Sequence, residues 1–259
     1  MSKEITIEII RELRDATGIS VMQCKNALQE ADGDMDKALA ILKKTSSDIA
    51  LKKAGRDAKD GRVYIKNEDK KAILVALHCE TDFVSKNEDF VTLLSNLVEI
   101  ASKEGIEKMK EKSKEMIDPI IQKTGEKIEL GDAYEIDGNI LGSYVHNNKV
   151  AVIVSLEGGN TELAKDIAMH ITAMKPEYIF QSEITEEARK TITEIFQKEV
   201  ANVDKPEDIK KKMLEGKIAT YFKEKTLLDQ MFIKDPNETI SKLLEKNKAK
   251  IKEVKRYSI

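Results

Sequence analysis

Apolar residues recur at helical spacing from Ile5 onward. Thr6, Ile9, Ile10 and Leu13 share one side of a helix predicted over Ile5 to Ala16, and Gly18 supplies its left-handed stop. Ser20, with Gln23 three residues on, reads as a capping box opening a second helix. Its apolar stripe is Val21, Cys24, Ala27, Leu28 and Ala31. Asp32-Gly33-Asp34 breaks that helix, and Asp34 caps a third with Met35, Ala38, Leu39, Ile41 and Leu42 inward. Three short helices make a domain of about 45 residues, near the lower limit for independent folding. Such a bundle has little room for a catalytic pocket, so its natural use is to present a surface. Arg11, Arg14 and Met22 are the candidates, set against the plainer reading of solvated arginines and a core methionine. Lys43 to Lys59 reads as a basic helical linker with Ala50, Leu51 and Ala54 as modest anchors.

The period then changes. Arg62 to Ile65 and the apolar run Ala72 to Cys79 read as strands joined by a turn at 67–70. After Glu80-Thr81-Asp82-Phe83-Val84, Ser85 and Glu88 predict a capped helix burying Phe90, Val91, Leu94, Leu97, Val98 and Ala101, ended by Gly105. A charged helix over Ile106 to Lys123 and a strand over Ile128 to Tyr134 follow. The second half repeats the plan: strand Ile140 to Val145, turn Asn147-Asn148, strand Val150 to Leu156. An Asn160-capped helix then carries Leu163, Ile167, Ile171 and Met174 and closes at Lys175-Pro176. Thr185 to Ala201 and Pro206 to Lys225 predict an antiparallel helical hairpin. A loop with Phe232, Ile233 and Pro236, a Thr239-capped helix and a short basic ending, Lys250 to Ile259, complete the chain. The expected class is α+β: a three-helix module, two related α+β subdomains with antiparallel sheets, and a helical hairpin. The expected domains are residues 1–55, residues 56–139 with the Thr81–Val84 loop, and residues 140–259 with the hairpin at about 185–225 and a C-terminal helix.

Composition narrows the chemistry. The 259 residues hold 44 Lys and Arg against 47 Asp and Glu, a formal net charge of -3. Aromatics are 5% and tryptophan is absent, which argues against nucleic-acid binding by a basic stripe or by base stacking. A protein partner or a small ligand is expected instead. No run reaches the roughly 18 apolar residues of a membrane helix, and the Met1-Ser2-Lys3-Glu4 start has no signal-peptide core. Cys24 and Cys79, far apart in apolar settings, suggest buried thiols in a reducing compartment. There is no P-loop, dinucleotide-binding glycine motif, CxxC pair or HExxH, and His78, His146 and His170 lack metal spacing. His78 and Cys79 are neighbours on a strand and point to opposite faces, which disfavours a thiol–base pair. The Thr81–Val84 stretch stands out. Either Phe83 packs beneath the loop and Asp82 merely turns it, or Phe83 is a probe for a partner's apolar pocket with the Asp82 charge beside it.

Motifs extend along nearly the whole chain. Glu12-Leu13-Arg14-Asp15-Ala16-Thr17-Gly18-Ile19 leads to Met22-Gln23-Cys24-Lys25-Asn26-Ala27-Leu28. Cys79-Glu80-Thr81-Asp82-Phe83-Val84 follows, then Leu141-Gly142-Ser143-Tyr144-Val145-His146. Asp166-Ile167-Ala168-Met169-His170-Ile171, Lys175-Pro176-Glu177-Tyr178 and Met213-Leu214-Glu215-Gly216-Lys217 complete the series. Together they resemble the translation elongation factor Ts family, guanine-nucleotide exchange factors for elongation factor Tu. The resemblance implies a ubiquitin-associated-like N-terminal module that docks on the nucleotide-binding domain of elongation factor Tu through Arg14 and Met22. It implies that Thr81, Asp82, Phe83 and Val84 disturb the partner's Mg²⁺ site, with Asp82 and Phe83 inserted near it. The second subdomain, with the His146 hairpin, would grip a distal domain of the partner. The resemblance further implies a cytoplasmic regulator with no enzymatic activity and no cofactor of its own. It would meet both GDP-bound and nucleotide-free elongation factor Tu and require neither nucleic acid nor membrane. Homodimerisation is left open. Two departures are visible. Leu228-Asp229-Gln230-Met231-Phe232 stands where many members carry Gly-Gln-Pro-Phe, and Ile259 falls short of a C-terminal helical module found in some longer members. The alternative reading is a non-catalytic dimerising or RNA-associated interaction protein, suggested by the helical hairpin and by Lys250, Lys252, Lys255 and Arg256.

Overall fold

Each opening helix is started by a side chain that satisfies an otherwise unpaired backbone N–H. In the computed structural model, which describes residues 5–259, α1 is Ile7–Thr17, α2 is Val21–Glu30 and α3 is Met35–Lys53. The Met1–Glu4 start lies outside the described residues. Thr6 Oγ1 accepts from Ile9 N at 3.4 Å, Ser20 Oγ from Gln23 N at 3.4 Å, and Asp34 Oδ1 from Lys37 N at 3.0 Å. Leu13, Ile19, Cys24, Ala27, Leu28, Ala31, Ala38 and Leu42 form the core between the three helices. Val21 and Leu39, expected inside, are exposed, because each lies on the solvent side of its helix. The expected linker is the second half of α3. Ile49 and Ala50 pack against the next core, whereas Leu51 and Ala54 remain exposed.

The first sheet is a hairpin with one later strand added. Strands β1, Asp60–Asn67, and β2, Lys71–Cys79, pair antiparallel from Asp60↔Cys79 to Asn67↔Ala72. Next come the single helical turn α4, Asp82–Ser85, then α5, Glu88–Glu104, α6, Ile106–Thr124, and β3, Ile128–Asp137. The sheet order is β1-β2-β3. One face of the central strand, Ile73, Val75, Leu77 and Cys79, packs on Phe90, Leu94 and Leu97 of α5 and on Met109, Ile117 and Ile121 of α6. Helix α3 lies along α6, where Ser47 Oγ donates to Asp118 Oδ2 at 2.7 Å. The expected capping box at Ser85 is not formed. The chain inserts α4 first, so Asn87 caps α5 through Asp89 N at 2.9 Å, while Ser85 Oγ donates back to Asp82 O at 3.1 Å.

The second sheet is built alike. Strands β4, Ile140–His146, and β5, Val150–Glu157, are joined by Asn147 and Asn148, both at positive φ (49° and 57°), the geometry a two-residue hairpin favours. Helix α7, Thr161–Met174, is capped by Asn160 through Leu163 N at 2.9 Å. Met174, expected inside, is exposed near its end. The helical hairpin is present as α8, Glu186–Ala201, and α9, Glu207–Lys225, with Phe196 edge-on to Tyr221 at 5.9 Å. Ile195 and Ile209 face outward. The expected loop contains a short hairpin, β6 Met231–Phe232 and β7 Asp235–Thr239, before α10, Ile240–Lys246. The expected basic ending is a strand, β8 Lys250–Ser258, which completes the order β4-β5-β8. Its charged side chains obscured the strand, although Ile251 and Val254 pack against the core.

The class is therefore α+β, with two sheets each built on an antiparallel hairpin, plus helical segments. Contacts divide the chain into two compact units. One holds residues up to Glu135 with Val145–Ala151 and Tyr257–Ile259; the other holds Ile136–Tyr144 and Val152–Arg256. The turn at Asn148 joins the first unit because Val63 N donates to Asn148 O at 2.9 Å, and the chain end because Ile259 N donates to Lys149 O at 2.9 Å.

Two expectations follow for the second unit. Gly142 lets β4 lie against α7, and a Cβ there would collide with the backbone of Ala164 and Lys165. Gly142→Ala should therefore lower stability by about 3 kcal/mol, read from urea denaturation. His170 is fully buried; its Nε2 faces Gln230 Oε1 at 2.9 Å and its Nδ1 accepts from Ile233 N at 3.3 Å, which defines a neutral ring. Burial pushes its pKa below the ordinary 6.5, outweighing the opposing hydrogen bond that Nε2 donates to Gln230 Oε1. The unfolded chain then binds more protons than the native one below about pH 6.5, so stability should fall as pH drops through that value. The urea midpoint should be lower at pH 5.5 than at pH 7.5, and His170→Asn should lose part of that difference.

Candidate functional site

Strand β2 delivers the chain from the core to the surface within a few residues. Cys79 is fully buried, Thr81 is extended at φ -131° and ψ 159°, and α4 begins at Asp82. A single turn cannot stabilise itself, because helix nucleation fixes several dihedrals for one hydrogen bond. Tertiary contacts hold this one. Val84 and Ser85 are buried beneath it, and Thr81 Oγ1 accepts from Val84 N at 3.5 Å. Phe83 on the same turn is 83% exposed. Asp82 is also exposed, with its Oδ2 2.6 Å from Lys86 Nζ. The turn therefore presents an aromatic ring and a carboxylate outward.

The approach to the turn is tied to the start of β3. Glu126 Oε2 accepts from Thr81 N at 3.0 Å, and Glu126 Oε1 accepts from Thr81 Oγ1 at 2.6 Å. In return Glu80 Oε1 accepts from Lys127 N at 2.6 Å and from Arg56 at 3.2 Å. The Lys127 hydrogen bond, with Arg56 beside it, holds the Glu80 carboxyl below the usual range against its desolvation. Lys149, three residues past His146, donates to Asp60, to Gly61 O at 2.6 Å and to Ser85 Oγ at 3.4 Å. Burial pushes the Asp60 carboxyl up, but hydrogen bonds from Lys149, Ser85 and Gly61 outweigh it and lower the pKa.

The other residues singled out by sequence are carried on other elements. Arg11 and Arg14 are exposed on α1, and Met22 is 64% exposed in the first turn of α2, so Met22 is not a core residue. His146 is exposed at the end of β4, its Nε2 3.2 Å from Asn147 Nδ2. Thus Thr81, Asp82, Phe83 and Val84 lie together at one turn, whereas Arg14 and Met22 are on the helices around the three-helix core and His146 is on the second hairpin. Glu126, Lys149 and Lys86 were not legible as site residues. Lys86 alone carried a local signal, the i,i+4 spacing from Asp82.

Catalytic chemistry at Cys79 finds no support in the geometry. Burial, with Asp60 and Glu126 adding to it, pushes the thiol up to about 12. His78 points to the other face of the sheet, its Nε2 2.6 Å from Tyr257 Oη. Among the described residues no group of three or more His, Cys, Asp or Glu side chains is placed to hold a metal ion, and no helix is long and apolar enough to cross a membrane.

Comparison with known proteins gives a consistent result. A family model described as elongation factor TS matches residues 80–259. The chain is 38% identical to the elongation factor Ts of Hahella chejuensis, over 98% of this chain and 92% of that protein. It is 36% identical to the elongation factor Ts of Thioalkalivibrio sulfidiphilus, over 98% and 92%, and 35% identical to that of Aeromonas hydrophila, over 98% and 90%.

Cys79 offers a check on the isolated protein. With its thiol buried and its pKa near 12, it should resist a thiol reagent at pH 8 in the native state and react on unfolding in urea. Rapid native labelling of Cys79, located by mass spectrometry, would contradict the described burial.

Proposed function

The chain belongs to the elongation factor Ts family, and we propose that it acts on its partner through the Asp82–Phe83 turn. As a member it is a guanine-nucleotide exchange factor for elongation factor Tu in translation elongation, and not an enzyme. The observation that carries the site reading is Phe83, 83% exposed beside an exposed carboxylate on a tethered turn. An aromatic held out in water has the character of an interface anchor. Phe83 enters an apolar pocket of GDP-bound elongation factor Tu. Asp82 brings negative charge to the groups holding the partner's Mg²⁺, with Thr81 and Val84 fixing both in place. GDP and Mg²⁺ stabilise each other in the partner. A factor that binds the nucleotide-free form better must weaken nucleotide binding by the same coupling free energy.

The rest of the chain supplies grip, and we assign it in chain order. Residues 1–55 form a ubiquitin-associated-like module that docks through Arg14 and Met22 on the partner's nucleotide-binding domain. The exposure of both residues supports this use. Residues 56–139 carry the probe. Residues 140–259, including the His146 hairpin and the α8–α9 pair, hold a distal domain. The protein works in the cytoplasm beside its partner, and one copy of the chain carries all of these elements.

Stopped-flow release of a fluorescent GDP from elongation factor Tu, at varied factor and Mg²⁺, tests the reading. Phe83→Ala should lower the maximal release rate at saturating factor about tenfold, the equivalent of roughly 1.4 kcal/mol of lost coupling. Asp82→Ala should act more weakly and mostly at high Mg²⁺. Both variants should keep the parent's circular dichroism and melting curve, since both side chains are exposed. Parental release rates for both across the whole titration would falsify the probe mechanism.

A further inference from the structure

We infer that Glu126 is a positioning residue for nucleotide exchange, setting the direction in which the α4 turn presents Phe83 and Asp82; this rests on the reading of that turn as the probe. The geometry is specific. A threonine hydroxyl has one proton, and an ionised carboxylate only accepts. Glu126 Oε1, 2.6 Å from Thr81 Oγ1, therefore takes that proton, and a hydroxyl lone pair is left to face Val84 N at 3.5 Å. The carboxylate in this way makes Thr81 an acceptor, which is the role a helix cap requires. Its second oxygen takes the Thr81 N–H at 3.0 Å, so backbone and side chain are gripped together just where the strand turns into α4.

The grip is mounted on ordered elements. Gly125, at φ 75°, ends α6, and Lys127 N donates to Glu80 Oε1 at 2.6 Å, so residues 80–81 and 126–127 clasp each other in both directions. On the solvent side Lys86 Nζ lies 2.6 Å from Asp82 Oδ2. Thr81 is only half-buried, so water can replace Glu126 as its acceptor. Loss of the carboxylate should leave the fold in place and free the Thr81 hydroxyl to rotate. The aim of Phe83 is what loosens. Such a loss falls on the rate within the complex more than on its formation.

The test uses the full chain and the same GDP-release assay, with Phe83→Ala, Glu126→Ala, Glu126→Gln and the Phe83→Ala/Glu126→Ala double variant. Glu126→Ala should lower the maximal release rate about tenfold, with a smaller change in the half-saturating concentration. Glu126→Gln, which still offers an acceptor to Thr81 N–H, should fall between Glu126→Ala and the parent. The double variant should be slower than Phe83→Ala alone by much less than the Glu126→Ala factor, because only Asp82 remains to be aimed. A parental maximal rate for Glu126→Ala, with Phe83→Ala slow, overturns the positioning role. So does a double variant whose loss is the product of the two single losses. A parental rate for Phe83→Ala overturns the probe reading, and this inference with it. If Glu126→Ala does not fold by circular dichroism, Thr81→Val carries the same comparison. It keeps the side-chain shape and removes the hydroxyl between Glu126 and Val84. A slow rate that does not multiply with the Phe83→Ala loss supports the inference, and a parental rate overturns it.

Discussion

Strand β2 is buried on both faces, and from Ala72 through Leu77 no side chain reaches solvent. Ile73, Val75, Leu77 and Cys79 fill the face under α5 and α6. The opposite face carries Ala72, Leu74, Ala76 and His78, and Gly131 of β3 leaves room there for His78 and for Tyr257, where a Cβ would stand 2.9 Å from each. A slip of one residue would exchange the two sets and put Val75 or Leu77 at the place of Ala76, close against Gly131. The register is therefore pinned, and so is the residue at which the chain leaves the sheet. The turn carrying Phe83 inherits its place from that constraint.

That turn combines two features that are unfavourable in isolation. It is too short to be a stable helix, and it leaves a large aromatic in water. The surrounding structure compensates from below. Val84 and Ser85 are buried, and the carboxylates of Glu80 and Glu126 clasp the preceding residues to the start of β3. Order at Phe83 is thus imposed by contacts distant in sequence.

The two sheets share a logic that explains β8. A two-stranded hairpin is marginal alone, and a third strand beside its second one covers the open edge. In the first sheet β3 arrives soon after the intervening helices. In the second, the α8–α9 hairpin and the β6–β7 hairpin come between, and only the last strand of the chain closes the sheet. The helical pair is thus an excursion within a repeated unit. Its own packing is lean, with Phe196 against Tyr221 and Arg189 over the Phe222 ring at 5.2 Å.

Sequence by itself determined what depends on near neighbours. The caps at Ser20, Asp34, Asn160 and Thr239, the Asn147–Asn148 turn, the apolar run of β2 and the helical hairpin were all legible, because cap and N–H, or turn and strands, lie within a few residues. The family could also be read from its motifs, and with it the exchange activity. The Ser85 cap failed because Asn87 offered an equally good local signal, and only the packing of α4 chose between them. Strand β8 was hidden because its charged residues mask the alternation until β5 is beside it. Tertiary structure alone decided whether Phe83 packs inward or projects, since the same four residues satisfy either local reading. It alone paired Glu126 with Thr81, 45 positions away, because hydrogen bonds between distant segments depend on which surfaces the core brings together and leave no periodic trace in the chain.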